Sequence, residues 1–291
     1  MISIFRNTEI QEKIRSDGYA VLPLLKPNEI DKLLSLFHKV SSAKKDAKAK
    51  LFVSSRDCDF ETSLYISNEI KDILLPHLET IAFNFSLYGG AFLAKPKHDS
   101  NEFSFHQDFT LMEPDKHQMY AIWIALQDTN QQNGAVFLIE KSQQLFKSYI
   151  SASYNNNKID RKDIDPDFVK SISLKAGDML LFCDSLFHGS FSNLSDKERI
   201  AITARITDKD APFVYYQKLD DDTAGVYSIH PTDLIKYFTD FQQGNLPDHL
   251  TLKYTISYRH SPVTSKKLNN KLKDLNGKST GFLEKIIQVF R

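Results

Sequence analysis

Cysteine is scarce in this chain: Cys58 and Cys183 are the only two in 291 residues. That excludes a disulfide framework. Cys183, inside the apolar run Met179-Leu-Leu-Phe-Cys183, reads as a reduced core thiol. Charge of either sign is not in excess, with 37 Lys+Arg against 37 Asp+Glu. This balance gives no electrostatic reason to expect nucleic acid or an anionic membrane as a partner. No apolar run reaches the roughly 18 residues of a membrane span. Charges at Arg6, Glu9, Glu12, Lys13 and Arg15 argue against a secretory leader, so a cytoplasmic protein is expected. No Pro/Gly/Ser-rich linker divides the chain, which favours one domain. Hydrophobic content of 41% and charged content of 25% are those of an ordinary globule. Nothing in the pattern specifies an oligomeric state.

What is present changes texture along the chain. Thr8-Glu9-Ile10-Gln11 has capping-box spacing, Ile10 and Ile14 share a helix face, and Gly18 can end that helix. Tyr19 to Leu22 reads as a strand ended by Pro23. A second amphipathic helix opens at Pro27 with Ile30, Leu33, Leu34 and Phe37 on one side. Residues 41–50 read as a lysine-rich solvated stretch. A third helix is expected over Ser67 to Phe85, broken or kinked at Pro76. From Tyr88 onward, short β-rich runs alternate with turn signals at Gly89-Gly90, Asn133-Gly134 and Gly177-Asp178. Met119 to Leu126 and Ala135 to Ile139 read as strands joined around Asn-Gly. Arg199, Ala201, Thr203 and Arg205 alternate onto one strand face.

This pattern predicts a mainly β fold with flanking helices, a jelly-roll or double-stranded β-helix core. Residues 1–87 would form a helical buttress, 88–206 the core with the site, and 207–291 a lid excursion with a C-terminal strand or helix. Residues 147–170 and 209–250 are long excursions, of the length usual for lids and binding loops. Phe213, Tyr215, Tyr216, Tyr227, Tyr237 and Phe238 would line a lid or pack it internally. The segment Phe282 to Arg291 is amphipathic at helical period, suited to packing on the core.

His106-Gln-Asp108 and a distant His188 make up a two-histidine, one-carboxylate ligand set. That set suits non-haem Fe(II) and leaves positions open for other ligands. Period two puts His106 and Asp108 on one strand face. A lone His-x-[Asp/Glu] means little, since chance supplies roughly one in a chain of this composition. His77-Leu-Glu79 is such a case. The later run His188-Gly-Ser190-Phe-Ser-Asn193-Leu-Ser195-Asp-Lys-Glu-Arg199 changes the odds.

Taken with Trp123-Ile-Ala-Leu126-Gln-Asp128, Asn133-Gly134 and Gly177-Asp178, these motifs resemble those of the phytanoyl-CoA dioxygenase family. The resemblance covers about residues 90 to 206, and Asp17 to Leu22 is similar to the family's opening strand. It implies Fe(II), 2-oxoglutarate as cosubstrate and O2. His106, Asp108 and His188 would hold the metal. Arg199 would bind the far carboxylate of 2-oxoglutarate with help from Ser190, and Trp123 would lie near it. The implied reaction is hydroxylation of an unactivated C–H bond in a small-molecule substrate, with release of succinate and CO2. Halogenating relatives carry Gly or Ala at the carboxylate position, so Asp108 favours hydroxylation. Arg205 could anchor substrate or form a plain salt bridge. Lys95 in Phe92-Leu-Ala-Lys95-Pro96 resembles the family's lysine-proline segment ahead of its first ligand and could hold cosubstrate or substrate, but a solvated lysine is expected; Asn193 and Asp178 are expected to be turn residues. The family's Pro-Gly-Ser-His segment is replaced by Glu140-Lys-Ser142-Gln143, which puts the pocket's shape in question. The alternatives are an oxygenase acting on a carrier- or protein-bound intermediate, and a non-catalytic jelly-roll binding protein.

Overall fold

The computed structural model describes residues 4–41, 51–146, 149–151, 159–259 and 261–275. Residues 42–50, the Asn155 to Asn157 run and the amphipathic segment Phe282 to Arg291 lie outside them.

Helix α1 (Thr8–Asp17) is capped by the Asn7 side chain, one residue before the expected box, and ends at Gly18 with φ 91°. Strand β1 (Tyr19–Pro23) leads to α2 (Pro27–Ser41), which buries Ile30, Leu33, Leu36 and Phe37. Strand β2 (Phe52–Val53) and the short α3 (Ser54–Asp57) precede α4 (Phe60–Ile81), where Asp59 accepts the Thr62 N–H. This third helix starts earlier than expected, and Pro76 does not end it. A proline inside a helix costs about 3 kcal/mol. Burying Ile70, Ile73, Leu74 and Leu78 outweighs that at about 1.5–3 kcal/mol each.

The β region follows as β3 (Phe85–Lys95), β4 (Phe103–His106), β5 (Tyr120–Ala125), β6 (Val136–Ile139), β7 (Val169–Ile172), β8 (Asp178–Cys183), β9 (His188–Ser190) and β10 (Arg199–Asp208). They form a six-stranded sheet, β1-β8-β5-β10-β3-β2, and a four-stranded sheet, β4-β9-β6-β7. This is the double-stranded β-helix expected from the sequence. The six-stranded sheet shares its core with α1, α2 and α4. In β6, Val136 and Leu138 join that core, while Phe137 and Ile139 join a second cluster on the other face. The helical stretch 265–275 supplies Leu268 and Leu272 to this second cluster.

Two turn readings are corrected. Gly89-Gly90 is not a turn but an irregularity inside β3: Arg205 pairs with Tyr88 while Thr203 pairs with Ala91. A Cβ on Gly90 would lie 2.7 Å from the Ser67 carbonyl oxygen, so α4 leaves no room for a side chain there. Asn133-Gly134 does not close a hairpin either, because β5 and β6 lie in different sheets. The turn carries the chain across the sandwich.

The excursion after β10 is ordered. Strands β11 (Val214–Lys218), β12 (Thr223–Ser228) and β13 (Thr251–Ser257) form a third sheet. The short helices α5 (Asp233–Lys236) and α6 (Phe238–Gln243) lie between the last two. Of the aromatics expected to line a lid, Phe213, Tyr215 and Tyr216 are buried. Phe213 and Tyr215 join Leu111, Met112, Met119 and Phe241, with Phe109 beside them. The aromatics therefore serve first as the excursion's own packing. Among the described residues, no helix is long and apolar enough to cross a membrane.

Candidate active site

The four-stranded sheet brings the two candidate imidazoles together by register. His106 of β4 lies directly opposite His188 of β9, with ring centroids 4.3 Å apart. Each Nδ1 is within hydrogen-bond reach of a carbonyl two residues back: Ser104 O at 3.0 Å and Leu186 O at 2.9 Å. A carbonyl can only accept, so both Nδ1 atoms carry the proton and both Nε2 atoms present a lone pair. Burial holds His188 below the usual histidine range and His106 down to about 3, which keeps both rings neutral.

Asp108 lies just past β4, its N–H donating to the Asp184 carbonyl at 2.9 Å. Its Oδ1 is 4.0 Å from His106 Nε2 and 3.9 Å from His188 Nε2. Its Oδ2 accepts from Arg205 Nη1 at 2.8 Å. Burial pushes the Asp108 carboxyl up, but the Arg205 guanidinium outweighs it and the carboxyl lies at about 2. His106, Asp108 and His188 each offer one ligand atom, all within 4.8 Å of one another. Two neutral imidazoles and one ionised carboxylate are a donor set that fits Fe(II).

Asp184, whose backbone carbonyl takes the Asp108 N–H, carries a second carboxyl here. Burial, reinforced by the nearby Asp108, raises it to about 7. Gln118 Nε2 donates to it at 2.9 Å. The changed segment after β6 also supports the site. Ser142 Oγ donates to the Ile139 carbonyl and accepts the Phe187 N–H at 2.9 Å, fixing the backbone just before His188.

The six-stranded sheet supplies a second cluster of buried polar groups. Arg199 of β10 and Lys95 of β3 are register partners, each only 2% exposed. Like charges directly opposite are destabilising, and neither has a carboxylate within ion-pair distance among the described residues, Asp99 and Glu102 acting on Lys95 only at longer range. Arg199 Nη1 reaches the Leu93 carbonyl at 3.4 Å, its guanidinium lies 5.3 Å from the Trp123 ring centroid, and its buried Nε has no partner. Lys95 Nζ donates to the carbonyls of Asn101 (3.1 Å), Ser190 (3.2 Å) and Phe191. Burial and the neighbouring Arg199 lower Lys95 to about 7, and burial lowers Arg199 to about 10. A Cβ on Gly134, which has φ 84°, would come within 3.4 Å of Arg199 Nε and 3.3 Å of Lys95 Cδ. Two buried cations, an unsatisfied donor and a glycine-lined space fit a carboxylate ligand.

Of the residues expected together, Trp123 lies against Arg199, and the Ser190 carbonyl accepts from the neighbouring Lys95. Lys95 corrects the expectation of a solvated lysine. Its sequence signal was the resemblance of Lys95-Pro96 to the family's lysine-proline segment, and its meaning depends on the pairing with Arg199. Asn193 is also more than a turn residue. Fully buried, it donates to the carbonyls of Lys95, Pro96 and Lys197 and so ties β3 to the run before Arg199. Asp178 is the expected turn residue, accepting the Lys175 N–H. His77 lies far from the site in α4, bonded to Glu29 at 2.8 Å.

Solved structures with this arrangement of sheets include the epimerase SnoN of nogalamycin biosynthesis. It has a TM-score of 0.53 at 18% identity, over 86% of this chain and 95% of that one. Another is EvdO2 from Micromonospora carbonacea var. aurantiaca complexed with 2-oxoglutarate (TM-score 0.51, 16% identity, 72% and 94% covered). At these identities the likeness is one of fold. The chain is similar to a phytanoyl-CoA dioxygenase of Arabidopsis thaliana, 33% identical over 112 residues, which is 36% of this chain and 38% of that protein. It also resembles phytanoyl-CoA dioxygenase 1 of Oryza sativa subsp. japonica (27% over 111 residues, 35% and 38% covered). The matches therefore span about two fifths of each plant relative's length. The family model for phytanoyl-CoA dioxygenase matches residues 14–201, from the first helix through the second histidine to Arg199, and by that match the chain belongs to the phytanoyl-CoA dioxygenase family.

Proposed function

We propose that the protein is an Fe(II)- and 2-oxoglutarate-dependent dioxygenase that hydroxylates an unactivated C–H bond of a small-molecule substrate, releasing succinate and CO2. One juxtaposition carries the reading: a histidine–aspartate–histidine cluster in the same sandwich as a buried Arg199 whose Nε lacks a partner. Family membership and the 2-oxoglutarate bound to a protein of the same fold support it.

In this reading His106 and His188 present Nε2 to the iron and Asp108 presents Oδ1. Arg199 donates to the far carboxylate of 2-oxoglutarate. Lys95, its donors engaged by carbonyls, contributes charge. Trp123 forms an apolar wall, and Ser190 lies at the edge of the pocket. Bound iron and cosubstrate supply the oxidising power with O2, while the protein orients the target carbon and excludes water. Asp108 keeps hydroxylation ahead of halogenation. Phe109, next to Asp108 and 6.2 Å from Phe238 between ring centroids, gives the substrate side an apolar wall. The reading takes the chain as one domain. It places the enzyme in the cytoplasm, consistent with Cys58 and Cys183 forming no disulfide among the described residues.

The test is an anaerobic titration of metal-free protein with Fe(II) and then 2-oxoglutarate, followed by visible absorption. A metal-to-ligand charge-transfer band that needs both additions is expected. Its absence in folded, iron-loaded protein would sink the reading.

A further inference from the structure

Among the described residues, Arg205 is the guanidinium bonded to a member of the metal cluster. It projects from the same face of β10 as Arg199, six residues on, but serves a different group. Its Nη1 donates to Asp108 Oδ2 at 2.8 Å, while Asp108 Oδ1 faces both imidazole Nε2 atoms. The Asp108 N–H is independently tied to the Asp184 carbonyl. A second carboxylate, Asp184, is close enough to influence Asp108, yet the hydrogen bond of Arg205 goes to Asp108 and the Asp184 side chain is taken by Gln118. The two oxygens of the candidate ligand are therefore not equivalent: one is committed to a cation and the other is left for the metal.

The irregularity in β3 falls between the pairs Thr203–Ala91 and Arg205–Tyr88. It is built from Gly89 and Gly90, both at positive φ. The Ser67 hydroxyl of α4 holds the Gly89 carbonyl at 2.7 Å, and the Ser67 backbone leaves no space for a Cβ on Gly90. Irregularities of this kind re-aim strand residues next to active sites.

We propose that Arg205 is a positioning residue that keeps Asp108 a one-oxygen ligand, which preserves the third open position on the iron. The inference rests on the Fe(II) reading above. Three protein donor atoms leave three positions on such a centre. A chelating cosubstrate takes two of these. If Oδ2 were also free to bind, the carboxylate would close the position left for dioxygen. Arg205 occupies Oδ2 with a charge-assisted hydrogen bond, the strong kind.

This differs from a salt bridge that merely keeps Asp108 in place. Loss of a simple support lets the ligand swing away and typically costs about 10–100-fold in metal affinity. Loss of a residue that reserves a position leaves metal affinity intact, or raises it, and reduces access for a further small ligand.

The test compares full-length wild type, Arg205→Leu, Arg205→Gln and Arg205→Lys, each folded by circular dichroism. Anaerobic Fe(II) titration gives metal affinity and the charge-transfer band reports 2-oxoglutarate. Nitric oxide, read by the high-spin iron–nitrosyl EPR signal of the 2-oxoglutarate complex, probes the open position. Arg205→Leu is expected to bind Fe(II) at least as tightly as wild type and to keep the band. Its affinity for nitric oxide should fall about tenfold, the lower end of outer-shell effects. Arg205→Lys, still a cation and donor, should recover most of the signal. If Arg205→Leu does not fold, Arg205→Gln, too short to reach Oδ2, is read in the same way. A wild-type nitric oxide response in the Leu or Gln variant overturns the proposal, as does a fall in Fe(II) affinity with no rescue by lysine. A wild-type protein without the charge-transfer band defeats the underlying iron reading instead, before any variant is compared.

Discussion

The metal cluster and the Arg199–Lys95 pocket lie in one sandwich but are opposites in how their polar groups are satisfied. Around His106, Asp108 and His188 every supporting bond is made: both Nδ1 atoms meet carbonyls, and one Asp108 oxygen meets Arg205. What remains free is one inward atom on each of the three residues. Around Arg199 the polar groups are only partly satisfied: two buried cations face each other across a strand pair, their bonds go to carbonyls, Arg199 Nε has no partner, and no carboxylate lies within ion-pair distance among the described residues. The first arrangement is pre-organised for a cation and needs only the ion. The second is electrostatically incomplete and calls for an anion. Buried polar groups left unsatisfied in a native fold need an explanation, and the explanation we propose is a carboxylate ligand.

The most severe way to break this contrast is on the metal side. Asp108→Ala removes the one anionic ligand. Fe(II) affinity should fall by about a hundredfold or more, beyond the 10–100-fold of an outer-shell loss, and the charge-transfer band should vanish; iron titration checks it. Next is Arg199→Met, which should weaken 2-oxoglutarate by about a hundredfold, or ~3 kcal/mol, while sparing iron. Normal cosubstrate binding in that variant would remove Arg199 from its assigned role.

Lys95 sharpens the comparison through pH. Its ammonium, lowered to about 7 by burial and Arg199, is charged below that pH and neutral above it. An anion binds the charged form better. The affinity for 2-oxoglutarate should therefore fall as pH rises through about 7, and Lys95→Met should flatten that dependence. Calorimetric titration of the iron-loaded protein from about two pH units below that value to two above measures it; a dependence that is the same in both proteins would place Lys95 outside the pocket's electrostatics.

The smallest effect is expected at His77, whose His-x-Glu spelling resembles the candidate ligand motif. His77→Gln should change stability by only about 1 kcal/mol through the loss of its bond to Glu29, and should leave iron binding untouched. A loss of Fe(II) affinity there would mean that the cluster is not the metal site.

Much of the site is legible in the order of residues alone. Period two along Phe103 to Asp108 puts two candidate ligands on one face, and the interval from His188 to Arg199 matches a family's spacing. The alternation from Arg199 to Arg205 places both guanidinia on the same side of one strand. Local spacing suffices for these because strand geometry repeats every two residues. Lys95 and Asp184 are not legible in this way, since each takes its meaning from a partner more than 70 residues away. The same holds for Gly89-Gly90, which reads as a turn unless the Ser67 backbone behind it is known.

Fold class, ligand types and the candidate guanidinium for the cosubstrate were already written in the amino-acid order, because these follow from periodicity and residue chemistry along the chain. Which oxygen of Asp108 is free, that Arg205 holds the other, and that Lys95 is buried opposite Arg199 emerge only in the folded molecule. Those facts depend on strand register and on desolvation, and both arise only when distant segments pack.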